Sequence, residues 1–371
     1  MPCGKAVLTR GKISFFYEDY SNARDVATAV DEKIKQNSLS VGGKDYLTIT
    51  SLSARQAFGA TQLVGNWTKQ DFFIKELSSD GNIQTVDVIY PFYPILLYLE
   101  PSMTKLMLDP LFEHQESGGF FRTFAMHDLG ASYPNATGHH DGGDKLQPLE
   151  ECGNMLILTL AYAQKELDID YLQTHYKILK QWTEYLVKET LFPNEQLSTD
   201  DFAGKLSNQT NLALKGIISI EAMAVIANLT GHSNDAVKYS NVSHTYVSKW
   251  QSLGIASNTT PSHTTLSYTQ KFQNDTHGLA YNLYFDRFLK LNLIPQYVYD
   301  MQSDVYPTAV QKYGVPLDTR HCYTKSDWEM WAAAIASETT RNMFIHDLAK
   351  WINETHTNTA CTDLYDTRNG E

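Results

Sequence analysis

Apolar residues recur along this chain in two helical patterns, and their alternation predicts the fold. From Met155 to Leu167 and from Thr210 to Leu229 apolar side chains run nearly all round. From Tyr171 to Lys188 they form one stripe of Tyr171, Leu172, Ile178, Leu179, Trp182, Tyr185 and Leu186, and Asn234 to Leu253 repeats that design. A helix apolar on every side is buried, whereas a striped one lies in an outer layer. Gly278 to Leu289 pairs in the same way with Gln296 to Tyr313, and Trp328 to Ser337 with Arg341 to Asn353. Upstream, Tyr20 to Lys35 pairs with Tyr46 to Gly59, and Pro94 to Tyr98 with Met103 to Glu116. Six buried helices inside six striped ones predict an all-α fold, an (α/α)6 barrel of six helical hairpins. First members recur about every sixty residues without sequence repetition, a spacing longer than most solenoid repeats. A short β-hairpin interrupts the helices near 70–90, with strands Asp71 to Leu77 and Ile83 to Val88 around a Ser78 to Asn82 turn. Residues 19–371 read as the hairpin domain and 1–18 as a residual N-terminal segment.

Polar residues gather in the loops that lead into the apolar helices, so the loops converge on one barrel end. Three motifs stand out: His140 to Asp144, Ser198 to Gly204 and Asp318 to His321. Paired carboxylates at one end suit hydrolysis, in which one acid protonates the leaving group and another activates water. By loop position the catalytic candidates are Asp200, Asp201, Glu150 and Asp141, with Thr199 as an alternative nucleophile. Binding candidates are His127, Asp128, Asn135, His139, Asn208, Arg320, Lys325, Asp327 and Trp328. Several have plainer alternatives. Asp327 sits where a helix cap belongs, Arg320 either clamps a substrate carboxylate or pairs with Asp318, and Trp328 either stacks on substrate or fills core.

The histidine and carboxylate spacing matches no standard zinc set, and the Asp141 to Asp144 turn lacks an EF-hand pattern. A P-loop, a GxSxG elbow and a dinucleotide fingerprint are also missing. No metal and no cofactor are therefore expected. The net charge of −12 argues against nucleic acid and anionic membranes as partners. A small-molecule substrate fits better. Asn-x-Ser/Thr sequons occur more often than chance placement would give, which points to a secreted chain whose leader is not present here. Asn66, Asn228, Asn241, Asn258, Asn274 and Asn353 are the glycan candidates. Asn135 and Asn208, inside the candidate loops, are expected to serve hydrogen bonds instead. Four cysteines without a CxxC pair are too few for a disulfide scaffold, and Cys152 reads as a buried thiol.

Taken together, the motifs resemble the fungal glutaminase A family. The resemblance rests on Lys75 to Asn82, Asp87 to Pro91, His127 to Gly130, Tyr133 to His139, Glu150 to Met155, Gln196 to Gly204, Asn208 to Gly216, Val315 to Arg320 and Trp328 to Trp331. It covers nearly the whole chain, roughly Gly11 to Gly370. Two positions depart from it: His140 stands where Asn is expected, and Lys145 where an acid is common. The resemblance implies hydrolysis of glutamine to glutamate and ammonia. It also implies an N-terminal β-rich domain, missing here, as a partner in the full-length protein. Two other functions remain open on the residues alone: a glycoside hydrolase using paired carboxylates, and a non-catalytic remnant domain.

Overall fold

The computed structural model describes residues 11–371 apart from 12, 67, 77–80, 199, 200, 271–275 and 358. The described residues divide into two compact units, one up to residue 55 and one from residue 56 onward. Helix α1 (Tyr20–Gly59) is two helices run together, because Gly42 and Gly43 leave helical geometry. Gly43 takes φ +70, which suits glycine. The chain folds back there and brings the Ser38 and Thr50 hydroxyls to 2.7 Å. Residues that far apart in one straight helix would be separated by about 18 Å.

In the second unit the inner helices are α2 (Val86–Leu99), α4 (Pro148–Glu166), α6 (Thr210–Leu229), α8 (Leu283–Phe288) and α10 (Ser326–Ile335). The outer ones are α3 (Ser102–Glu116), α5 (Ile169–Glu189), α7 (Ser233–Gly254), α9 (Gln296–Ala309) and α11 (Glu338–Glu354). Every side chain of α4 from Leu149 to Ala163 is buried. On α5 the expected stripe is buried together with His175, Tyr176 and Thr183, Tyr185 lying partly exposed at its edge. Each buried Leu or Ile contributes about 1.5–3 kcal/mol, so the all-round pattern commits α4 to the interior. Helix α6 is long and apolar enough to cross a membrane, yet most of it is buried within this unit. Inner helices pack in chain order, α2 on α4, α4 on α6, α6 on α8 and α8 on α10. Tyr90 of α2 completes the circuit, with its ring 5.0 Å from Phe285 of α8 and 4.8 Å from Trp331 of α10.

Three elements differ from the sequence expectation. The hairpin pairs β1 (Thr61–Gly65) with β2 (Gln70–Ile74), not 71–77 with 83–88. Gly65 makes that turn possible, since a Cβ there would lie 2.2 Å from the Lys69 carbonyl oxygen. Ile83 still bridges to Lys75, but Val86 opens a helix. The β-branched run of Val86, Val88 and Ile89 favours a strand locally, and burial on the inner ring overrides that preference. Pro91 and Pro94 lie inside α2 rather than at its start. Helix α8 is also shorter than expected, because Gly278 bridges to Asp318 instead of opening the helix.

The approach loops of the inner helices are tied to one another. Leu129 N donates to Ile83 O at 2.8 Å and Val86 N to His127 O at 2.8 Å. Leu149 N donates to the Gln196 side chain at 3.1 Å. Thr210 N reaches Leu266 O at 3.0 Å, and Leu279 N reaches Leu317 O at 2.8 Å. The ring of Phe202 lies 5.1 Å from that of Tyr323. The loops around Ser198 to Asn211 and Asp318 to Glu329 therefore share one end, as the sequence predicts.

Candidate active site

The N-terminal turns of four inner helices bring charge to that end. Helix N-termini favour carboxylates. Asp87 comes from α2, Glu150 and Glu151 from α4, and Asp327 from α10. Lys215, from the second turn of α6, is the cation among them. His127 and Asp128 enter on the loop that pairs with the approach to α2.

His127 is the hub. Its Nδ1 lies 2.8 Å from Asp128 Oδ2. Its Nε2 lies 3.5 Å from Asp87 Oδ2 and 3.8 Å from Glu151 Oε1. Asp128 also accepts from Asn82 Nδ2 at 3.0 Å and from Gly130 N at 2.5 Å, and it bonds His139 Nε2 at 2.8 Å. Burial alone would lower the His127 pKa. The Asp87 charge and the Asp128 hydrogen bond outweigh it and hold the imidazole well above its ordinary value. Burial raises Asp87, but the His127 charge overrides it and leaves Asp87 below the usual carboxylate range. Glu151, fully buried and facing the Asp87 charge, is pushed well up. Two carboxyl groups beside one imidazole are thus driven in opposite directions.

A second group adjoins the first. Lys215 is ion-paired with Glu150 and donates to Asn154 Oδ1 at 2.6 Å. Asn154 Nδ2 donates in turn to Glu151 Oε2 at 3.0 Å. Lys215 Nζ also sits 3.8 Å above the Tyr90 ring. Burial raises Glu150 and lowers Lys215, each opposed by its partner. Lys325 lies 3.4 Å from Asp327 and 3.1 Å from Asp363, and its charge acts on Asp87 and Glu150. Burial pushes Asp327 up to about 6.

Four buried polar atoms of this cluster have no hydrogen-bond partner among the described residues: His127 Nε2, Glu151 Oε1, Glu150 Oε2 and the Tyr90 hydroxyl. Each such atom costs about 1–3 kcal/mol when left unpaired. Their concentration at one place makes this cluster the candidate site.

The cluster takes in Glu150, His127, Asp128, Lys325 and Asp327 of the sequence candidates, with His139 bonded to Asp128 at its edge. It leaves others out. Asp141 is exposed and accepts from Gly143 N at 2.9 Å, a local turn contact. Asn135 is exposed. Asn208 serves through its backbone, with φ +52 and its N donating to Pro193 O at 2.7 Å. Arg320 takes the second of its two readings, with its guanidinium donating to Asp318 at 2.6 and 3.1 Å. Trp328 is core, stacked 4.3 Å from Tyr281. Asp327 accepts from Trp328 N at 2.9 Å at the start of α10, so it also has the helix-end role. Thr199 and Asp200 lie outside the described residues, and of Asp201 the backbone is described, opening the 3-10 turn Asp201–Ala203.

Asp87, Glu151, Asn154, Lys215 and Tyr90 were not selected from the sequence. Lys215 carried a signal, as the lone cation in the apolar run Leu212-Ala213-Leu214-Lys215-Gly216-Ile217. Asp87 was hidden in a segment read as a strand. Of the glycan candidates, Asn66, Asn228, Asn241, Asn258 and Asn353 are exposed, and Asn274 lies outside the described residues.

Comparison with known proteins places this arrangement. The model of the glutaminase A six helical-hairpin domain matches residues 43–371. Glutaminase A of Aspergillus oryzae is 58% identical over 358 residues, covering 96% of this chain and 51% of that protein. A probable glutaminase of Arthroderma benhamiae is 36% identical, covering 96% of this chain and 50% of its own length. The chain spans about half the length of the curated relatives it matches.

Proposed function

The chain belongs to the glutaminase A six-helical-hairpin family, and on that premise we propose that it hydrolyses the side-chain amide of glutamine, giving glutamate and ammonia. The observation that carries the reading is the set of unpartnered buried acceptors around His127, at the meeting point of the inner helices. Amide hydrolysis needs what that set offers. Water adds to the amide carbon, the C–N bond breaks, and the proton lost by water goes to the departing nitrogen. Carboxyl groups close together at one edge of an imidazole can accept that proton and return it. Asp87 is the accessible member, with 13% of its side chain exposed against 2% for His127 and none for Glu151. Substrate therefore approaches from the Asp87 side, towards Lys325 and Asp327. Lys325 supplies a cation of the kind a substrate carboxylate requires.

The test is ammonia and glutamate release from L-glutamine by the purified chain, and by a form extended to the relatives' length. Aryl glycosides serve as the competing substrates. Ammonia release by either form supports the reading. Sugar release, or inertness of both forms towards glutamine, overturns it. We also propose that the chain is secreted and glycosylated, which the exposure of Asn66, Asn228, Asn241, Asn258 and Asn353 supports. Mass loss on glycosidase treatment, after passage through a eukaryotic secretory route, tests this.

A further inference from the structure

We infer that Asp87, His127 and Glu151 form a binding site for one divalent transition-metal ion of the Zn²⁺ or Mn²⁺ type. One ligand atom from each residue lies within 4.8 Å of the other two. The two separations from His127 Nε2, 3.5 Å to Asp87 Oδ2 and 3.8 Å to Glu151 Oε1, approach the spacing that a tetrahedral ion imposes. With metal–ligand bonds of about 2.0–2.2 Å, neighbouring ligand atoms stand about 3.4 Å apart. Those two separations need a contraction of only a few tenths of an ångström.

The trio is more than an acidic cluster. His127 Nε2 and Glu151 Oε1 are buried, unpartnered, and turned towards each other. With Nδ1 donating to Asp128 Oδ2 at 2.8 Å, Nε2 is the atom left to face the two carboxylate oxygens, and it takes an ion by releasing its proton. A metal ion at that point replaces the proton in offsetting the repulsion between the two carboxylates. The supporting shell is the kind that metal-binding histidines use: a carboxylate behind the imidazole fixes the tautomer. Asn154 Nδ2 holds the other oxygen of Glu151 at 3.0 Å and aims Oε1 inward. Two carboxylates balance the ion's charge. The partial exposure of Asp87 leaves a fourth coordination position facing the approach side, the hallmark of a catalytic rather than a structural ion.

His127, Asp128 and Asp144 also lie close together, but donors already fill that group. Asp128 accepts from His127, Asn82 and Gly130, and Asp144 accepts from His127 N and from Lys145 N. It is the support of the site, not a second one.

The functional half of this inference rests on the glutaminase reading, since an ion here would polarise the substrate amide and activate water. The binding half does not. The experiment strips the purified chain with a chelator, verifies metal loss by elemental analysis, and titrates it with ZnCl₂ by calorimetry. One equivalent should bind. Asp87→Asn and Glu151→Gln should each weaken it at least ~10-fold, and Asp128→Asn by about 10–100-fold through the lost support. Circular dichroism checks that each variant is folded. His244→Ala, on the exposed face of α7, should bind as the parent does. No binding by the parent, or equal binding by all the variants, overturns the site. Ammonia release is then followed in stripped and reloaded protein. Unchanged release after verified stripping overturns the ion's role and leaves the glutaminase reading standing. Stoichiometric binding with no ammonia release, in any metal, from either the chain or its extended form upholds the site and overturns the glutaminase reading.

Discussion

Lys215 and Glu150 form an ion pair sealed between two inner helices, with both side chains fully buried. The pair joins α6 to the first turn of α4, and Asn154 ties it to Glu151. A buried pair is costly to make and costlier to break, because removing one partner leaves the other charged and unsolvated.

Lys215→Met should therefore destabilise the protein by about 3–5 kcal/mol. Adding Glu150→Gln should return much of that loss, because the stranded charge goes with it. Chemical denaturation of the two single variants and the double variant measures the coupling. Strict additivity would show that the pair contributes nothing as a pair.

Gly153 lies between these groups on α4. A Cβ there would meet Lys215 Cγ at 2.8 Å and Ser219 Oγ at 3.1 Å. Gly153→Ala should cost about 1–3 kcal/mol, the range for an overpacked core. Because the intruding methyl displaces the Lys215 stem, ammonia release should fall by more than the same loss of stability causes elsewhere. Ala332→Gly, in the buried face of α10, is the comparison. Equal activity of the two at matched stability would count against a positioning role for Lys215.

The helical pairing was legible because all-round and striped patterns differ in composition. Thr210–Leu229 was read to the residue for that reason. Helix α2 was not, since Val86, Val88 and Ile89 favour strands, and Pro91 and Pro94 look like helix boundaries. The site was legible where its residues precede a helix, as with His127, Asp128 and Lys325. Inside the helices it was legible only at Glu150 and Asp327. Asp87, Glu151, Asn154 and Lys215 sit in the first or second turn, where polarity reads as capping or as an irregularity in an apolar face. Arg320, well placed along the chain, follows the second of its two readings, its guanidinium held by Asp318.

Glu329 of α10 accepts from Val315 N at 2.8 Å and from the Tyr365 hydroxyl, and burial pushes it up to about 8. Its unfolded value is near the ordinary 4.5. Between those values the folded state holds a proton that the unfolded state has lost. Its contribution to stability is thus full below pH 4.5 and declines as pH rises to about 8, by at most about 1.4 kcal/mol per pH unit. Glu329→Gln keeps an acceptor without the titration. Urea melts at pH 5.5 and pH 8 should show the variant gaining on the parent at the higher pH. Parallel pH dependences would remove Glu329 as the source.

The sharpest division between candidate residues lies between Glu151 and Asp201. Glu151 faces His127 across 3.8 Å from the buried first turn of α4, whereas Asp201 was selected because two adjacent carboxylates precede a helix. Glu151→Gln preserves volume and can still accept from Asn154, so the fold should survive. Ammonia release should fall by at least ~10²-fold, the lower range for losing a group that transfers a proton in the transition state. The loss should appear in kcat rather than KM, because Glu151 lies behind Asp87 as seen from the approach side. Asp201→Asn, assayed in parallel, separates the two proposals. If it alone abolishes turnover while Glu151→Gln works at the parental rate, the chemistry belongs to the 198–204 loop. The buried carboxylates would then hold the helix ends together without touching the amide.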